Sequence, residues 1–495
     1  MGSRRMGDRP SPGQGTAPPG GDPAERRRRG AALGVGLVAV FMTVLDVSIV
    51  NVAIPSMDRA LDVAPSDVQW VLAGYTLTFG LMLVPGGRFG DRHGRRTVFV
   101  VGVALFTITS VTAGLAPTVS WLIASRLLQG AAAGLINPQV TGLIQELFPS
   151  SQRGRPFGLL GAAVSISTAA GPLLGGLLIH VGGAEHGWRW VFFINVPLGV
   201  SAAILGWRLL PQRAQKIPDH HRFDPVGLLL LGAGVLLVLL PLVQQHWQGP
   251  ARWLTLPAGL LTLAAFVGWE RWYARRREPL FDPRLLGIRS YRFGVLIGLL
   301  YFGGFTSIFF VLTVYLQNGL GHSALAAGLA STPFTVGFAI TSVVGGRFVR
   351  RFGRPLVALG LATVAVSLVV VVLVVNRVPP GATVSWWTAT PLLVAGLGSG
   401  LVVTPNQALT LAQVPVSRAG SGAGMLQTGQ RIGSAAGIAT VGSVIFAAQG
   451  ATGDWSVAFH HAMLLISGIS MLALCLALTD IVRDRRRAEA STTPD

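Results

Sequence analysis

Charge, cysteine and lysine are all scarce in this chain. Only 12% of its 495 residues are charged, and 51% are hydrophobic, with a mean hydropathy of +0.57. A soluble globular protein carries roughly 25% charged residues, so this composition argues against one. A single cysteine, Cys475, excludes a disulfide scaffold and a zinc ribbon. Acidic residues number 20 against 39 basic ones, and Lys216 is the one lysine among the latter, a bias in keeping with a GC-rich genome. There is no G-x-x-x-x-G-K-[ST] loop, so the chain offers nothing to support the use of ATP. H-E-x-x-H, Cys/His metal spacing and a G-x-S-x-G elbow are also missing. The His220-His221 and His460-His461 pairs have no carboxylate company. No metal and no cofactor are expected.

What the chain has instead is apolar runs. A membrane helix needs about 20 mostly apolar residues, and that window gives fourteen candidates. The first six cover 31–55, 67–85, 97–116, 119–143, 157–181 and 190–210. Two more cover 226–244 and 253–273, and the last six cover 293–316, 325–348, 355–375, 387–412, 419–448 and 459–482. The first run is too long for a secretory signal and reads as a retained helix. With the N-terminus inside, 33 basic residues fall in cytoplasmic segments and four (Arg59, Arg189, Arg252 and Arg377) fall outside, while Arg126 and Arg431 lie within spans. Such a split follows the positive-inside rule and places both termini in the cytoplasm. It also accounts for the net charge of +19 without a nucleic-acid partner: the basic loops face anionic lipid.

An internal repeat organises these spans. GGRFGDRHGR begins at Gly86 and GGRFVRRFGR at Gly345, seven of ten positions being identical at an offset of 259. Both copies follow the second helix of a six-helix set. This is the pattern of two parallel halves with a site at their interface near the midplane. The expected organisation is an all-α polytopic membrane protein. A disordered tail (1–30) precedes a six-helix bundle (31–210), then come an inserted helix pair with linkers (211–290), a second bundle (291–482) and a short tail (483–495).

Five patterns together resemble the major facilitator superfamily, in its fourteen-helix drug:proton antiporter branch. They are LDVSIVNVAIP (45–55), GRFGDRHGRR (87–96), SRLLQGAAAG (125–134), GPLLGG (171–176) and WRWVFFINVPLG (188–199). The resemblance covers nearly the whole chain. It implies a bacterial plasma-membrane exporter of hydrophobic or amphipathic small molecules, working by alternating access and driven by the proton gradient. An uptake symporter or facilitator of the same fold is the alternative within the class. A polytopic enzyme or scaffold is the alternative outside it, and no clustered catalytic groups support one.

The residues carry a physical reading beside the resemblance. Asp46 is the one acid well inside a span of the first half, and a carboxylate at bilayer depth is a functional candidate by default. Burial favours the neutral form of a carboxyl group and a nearby cation favours the charged form; a group held between them can take up and release protons. Arg126 lies at a matching depth, about 12 Å from the membrane surface against about 14 Å for Asp46 at ~1.5 Å per residue, and is the natural partner. The resemblance implies proton coupling at both positions; a static ion pair that fixes packing is the alternative. Gly87, Asp91, Arg92, Gly94, Arg95 and Arg96 form the loop motif. Asp91 there suits a charge latch to a helix N-terminus or to an arginine of the other half. Arg350 takes the Asp91 position in the second copy, making the latch one-sided.

Gly171, Pro172, Gly175 and Gly176 make a bendable, closely packed helix suited to gating, or to packing alone. The resemblance to antiporters rather than symporters rests largely on them. Asn51, Tyr75, Asn137, Gln139, Tyr301, Tyr315, Asn406, Gln427 and Arg431 are candidate cavity residues, with Gln69, Gln317 and Gln407 nearby in type. An apolar cleft with a few such groups suits a broad-specificity site. Asp46 maps onto Phe305 by the 259 offset, so the cleft holds one acid against two arginines. The expected substrate is therefore neutral, zwitterionic or anionic, not a dication, unless Arg431 serves helix-end carbonyls instead.

Overall fold

The computed structural model describes residues 23–492 except 62–63, 149–151, 153, 184, 213–223, 244–249, 276–278, 280, 380, 382 and 416–418. The described residues hold no strand. Among the described residues fourteen segments are helical, long and apolar enough to cross a membrane, matching the number read from hydropathy. The first group comprises α1 (Pro23–Leu61), α2 (Pro65–His93), α3 (Arg95–Gly114), α4 (Val119–Leu147) and α5 (Gly154–Gly182). It closes with α6 (Gly187–Phe193) and α7 (Asn195–Leu209), which form one span across a one-residue interruption at Ile194. The inserted pair is α8 (Pro225–Val243) and α9 (Thr255–Tyr273). The last group is α10 (Arg289–Val314), α11 (Ala324–Phe352), α12 (Arg354–Arg377), α13 (Thr383–Leu411), α14 (Ala419–Thr452) and α15 (Trp455–Thr492).

Several helices outrun their apolar stretches. Pro55 and Pro85 lie inside α1 and α2 and do not end them; neighbouring helices can satisfy the backbone groups that a membrane proline frees. The repeat motif is therefore largely helical. Gly87, Asp91 and Arg92 sit in the last turns of α2, and Arg95 and Arg96 begin α3. The whole turn between them is Gly94, at φ +90°. Gly353 repeats that device between α11 and α12 at φ +55°. A left-handed backbone at both corners explains why glycine stands there in both copies. Residues 1–22 of the expected tail lie outside the described residues. Residues 23–30 belong to α1, started by Pro23 at the first helical position and carrying a Glu25–Arg29 pair one turn apart.

Helices pack mainly within the two groups, α2 on α4 and α1 on α5 in the first, α11 on α13 and α10 on α14 in the last. Across the seam α5 meets α11 and α2 meets α14. At the face away from the arginine-rich loops, Gln317 Nε2 donates to Val52 O at 3.0 Å. There too a Cβ on Gly176 would lie 2.6 Å from Leu325 Cα. At the other end of α5, Gly158 faces open space. The inserted pair is peripheral, with α8 against α14 and α2 and little of α9 buried. Outward side chains such as Leu128, Leu229 and Leu261 are exposed, as lipid-facing positions should be.

Candidate functional site

The site is built around one carboxylate in the first group. Asp46, in the middle of α1, has no exposed surface, and Arg126 of α4 is 1% exposed. Arg126 Nη1 donates to Asp46 Oδ2, so the two residues of matching depth are in direct contact. Two amides complete the shell. Gln129 Nε2 donates to Asp46 Oδ1 at 3.0 Å, and Asn195 Nδ2 donates to the same oxygen at 2.9 Å. Gln129 Oε1 in turn accepts from Arg126 Nη1 at 2.7 Å, and Arg126 Nε donates to Val71 O at 3.3 Å. Asn195 also reaches Ser110 Oγ at 3.1 Å, and Ser110 donates to Phe192 O at 2.9 Å. Charge buried at this depth is tolerable because its lone pairs and protons are taken up by such donors and acceptors.

Sequence reading missed Gln129 and Asn195. Gln129 stands three residues after Arg126, on the same face of α4, and Asn195 lies in the WRWVFFINVPLG segment. Both were visible as polar residues at membrane depth, but their shared target was not.

An aromatic layer continues from this shell towards the seam. The guanidinium of Arg126 lies 4.1 Å from the Tyr75 ring centroid. Tyr75 meets Phe79 edge to face at 5.9 Å. Arg431 of α14 lies 4.1 Å over the Phe79 ring. Arg431 makes no ion pair or hydrogen bond among the described residues. Its backbone comes close because Gly80 has no side chain: a Cβ there would lie 2.7 Å from Arg431 Cβ. Thr428 Oγ1 donates to Gly80 O at 2.9 Å and ties α14 to α2 at this level.

The glycines of the GPLLGG segment lock α5 in place. A Cβ on Gly171 would sit 2.5 Å from Ser48 Cβ, and one on Gly175 would sit 3.0 Å from Ile49 Cγ1. Both contacts fall on α1 within a turn of Asp46. Pro172 lies inside an uninterrupted α5, and Gly328 of α11 packs on its carbonyl carbon at 2.9 Å from the position of a Cβ.

The loop motif is closed within its own half. Asp91 accepts from Arg95 Nη2 at 2.9 Å, and Arg95 Nε pairs with Glu146 of α4 at 2.8 Å. No bond from Asp91 to the second half, one of the two latch partners expected of it, occurs among the described residues. Asp91 meets Arg95 across the Gly94 corner, and Arg95 reaches on to the end of α4. Arg96 stacks on Trp207 at 4.4 Å, and Arg92 is exposed. The second half uses a different acid. Arg354, the counterpart of Arg95, pairs through Nε with Asp480 Oδ2 at 3.0 Å, and Arg289 Nε pairs with Asp480 Oδ1 at 3.0 Å. The side chain of Arg350 lies outside the described residues.

The remaining candidates divide. Tyr75 is buried and donates to Thr43 O at 3.1 Å. Asn137 bonds Thr43 Oγ1 at 3.1 Å, and Asn51 bonds Val47 O at 3.1 Å. Gln139 donates to Gly86 O at 2.7 Å, which fastens α4 to α2. Asn406 donates to Gly294 O at 2.9 Å and accepts from Arg354 at 2.6 Å. These bonds make it a strut between α10, α12 and α13. Tyr315 lies against the Phe459 ring at 4.3 Å in the last turn before Leu320. Tyr301 joins Phe305, whose ring also meets Phe309, Phe334 and Phe338. Gln427 is half-buried on α14. No cluster of potential metal ligands occurs among the described residues.

Known proteins agree with this architecture. The family described as Major Facilitator Superfamily matches residues 36–438 and 294–493. The chain is 35% identical to a "Probable actinorhodin transporter" of Streptomyces coelicolor, over 86% of this chain and 73% of that protein. It is 34% identical to a cephamycin export protein of Amycolatopsis lactamdurans, over 80% of this chain and 81% of that one. Among solved structures, a bacterial homolog of the human lysosomal transporter Spinster superposes with a TM-score of 0.67 at 16% identity, covering 93% of this chain and 98% of that chain. A fourteen-span all-helical chain with these relatives is a transporter and not an enzyme, and it belongs to the Major Facilitator Superfamily as a multi-pass protein of the plasma membrane.

Proposed function

We propose that this transporter is a proton-coupled antiporter that exports hydrophobic or amphipathic small molecules by alternating access. Relatives named as export proteins support the outward direction. The observation that carries the coupling is the fully buried Asp46–Arg126 pair with its two amide donors. When Asp46 is ionised, each of its oxygens has a donor. When it binds a proton, its attraction for Arg126 falls, and the shell that joins α1, α4 and α7 must rearrange. A group that changes its bonds to two other helices on taking one proton is suited to couple proton flux to a rocking motion. Neither ATP nor a bound cofactor has a part in this scheme; the proton gradient is the source of work.

The substrate side follows from charge. Among the described residues Arg431 stands at the seam without an acidic partner, and the position equivalent to Asp46 is Phe305, buried among aromatic rings. A dication would meet unbalanced positive charge here, whereas an anionic, zwitterionic or neutral amphiphile would not. Inside-out vesicles holding the chain test both parts. With the lumen acidic, they should concentrate an aromatic sulfonate or a neutral aromatic dye, and a protonophore should abolish this. Arg431→Ala should lower sulfonate uptake at least tenfold more than uptake of the neutral dye. Uptake that needs an alkaline lumen would mark a symporter. Preference for a bisquaternary dication, with Arg431→Ala silent, would overturn the charge assignment.

A further inference from the structure

The Asp46 pair lies wholly in the first half, and Arg431 belongs to the second. Coupling between them requires a physical connection across the seam. One unbroken chain of contacts exists among the residues described above. Arg126 places its guanidinium on Tyr75, Tyr75 meets Phe79 edge to face, and the Phe79 ring carries Arg431. Tyr75 and Phe79 are four residues apart on α2, so they share one helix face. Tyr75 has no exposed surface and Phe79 is 1% exposed, which leaves both cation–π contacts shielded from water, where they are strongest. The charged or titratable groups facing this stack are Asp46 on α1, Arg126 on α4 and Arg431 on α14.

We propose that the Tyr75–Phe79 stack is the coupling element that transmits the protonation state of Asp46 to Arg431 in the opposite half. This rests on the reading of Asp46 as the proton site. While Asp46 is ionised, Arg126 divides its charge between the carboxylate and the Tyr75 face. Once Asp46 is neutral, the guanidinium is drawn more fully to the ring. Tyr75 is anchored through its hydroxyl to Thr43 O at 3.1 Å, so the ring responds by tilting, and the edge-to-face contact passes the tilt to Phe79. Phe79 then offers Arg431 a different face. Rings are suited to this because their attraction for cations and for one another depends on orientation. Tyr75 and Phe79 are thus positioning residues, acting through the two arginines.

Thermal unfolding of the full chain in lipid nanodiscs tests the proposal without any substrate. Asp46→Asn and Arg431→Gln are measured singly and together, in the native background and in Phe79→Leu and Phe79→Tyr backgrounds. In the native background the two shifts in Tm should fail to add by about 1–3 °C. In Phe79→Leu, which fills similar space without a ring face, they should add. In Phe79→Tyr, which keeps the ring, the deviation should return; a merely structural role for Phe79 would not produce this pattern. If Phe79→Leu does not fold, Gly80→Ala serves instead, because its Cβ pushes Arg431 off the ring and should also remove the deviation. Shifts that add in the native background overturn the proposal, as does a deviation that survives both Phe79→Leu and Gly80→Ala. Neither result touches the role of Asp46 itself, which is read from uphill transport.

Discussion

The two halves share a helical plan but fill their centres differently. At the midpoint of α1 the first half holds Asp46 within a shell of Arg126, Gln129 and Asn195. At the equivalent place on α10 the second half holds Phe305 among Tyr301, Phe309, Phe334 and Phe338. The asymmetry reverses at the arginine-rich face. There the first half has a partly exposed Asp91–Arg95–Glu146 chain, and the second has Arg289 and Arg354 converging on Asp480, which is 7% exposed at its side chain. One half thus keeps its most buried ion pair at the middle of its first helix, and the other keeps its own at the arginine-rich face. A half with an apolar centre can serve as the rigid body against which the other responds.

The largest effect expected from this contrast is at Arg126. Arg126→Gln leaves Asp46 buried without its cation and should destabilise by about 3–5 kcal/mol, seen as loss of folded protein in detergent; Asp46→Asn added to it should restore part of the loss. Asp480→Asn should cost about 2–3 kcal/mol, since two arginines lose a largely buried charged acceptor, and should leave proton-driven uptake intact in what remains folded. Asn195→Ala should cost about 1–3 kcal/mol, the cost of leaving a buried polar group unsatisfied, and should alter the pH profile of transport. Asp91→Asn should change stability by about 0–1 kcal/mol, because the pair is partly exposed and Arg95 keeps Glu146. If Asp480→Asn abolished proton coupling and Asn195→Ala did not, the division of labour between the halves would be wrong.

Much of the architecture was legible in the sequence, and the reasons are physical. Span number comes from additive hydropathy, and the Gly94 and Gly353 corners are marked by a motif that repeats. Equal depth on antiparallel helices is enough to pair Arg126 with Asp46. Contacts that depend on helix rotation were not legible. Nothing in the sequence tells that Gln129 and Asn195 converge on one oxygen, or that Arg354 finds Asp480, 126 residues away, in place of the acid missing from the second repeat. Helix ends were also hidden, because α1 and α2 continue past Pro55 and Pro85 into stretches that hydropathy does not mark. Asn406 and Tyr315 are polar or amphipathic at membrane depth, yet one braces Arg354 and the other lies against the Phe459 ring.

Transport by Asp46→Asn tests the central claim most directly. Vesicles carrying this variant should still equilibrate an aromatic probe down its own gradient and exchange it between the two sides. They should fail to concentrate it when a pH gradient is imposed, with accumulation falling to the level of empty vesicles. Accumulation at the wild-type level under the same gradient would contradict the account.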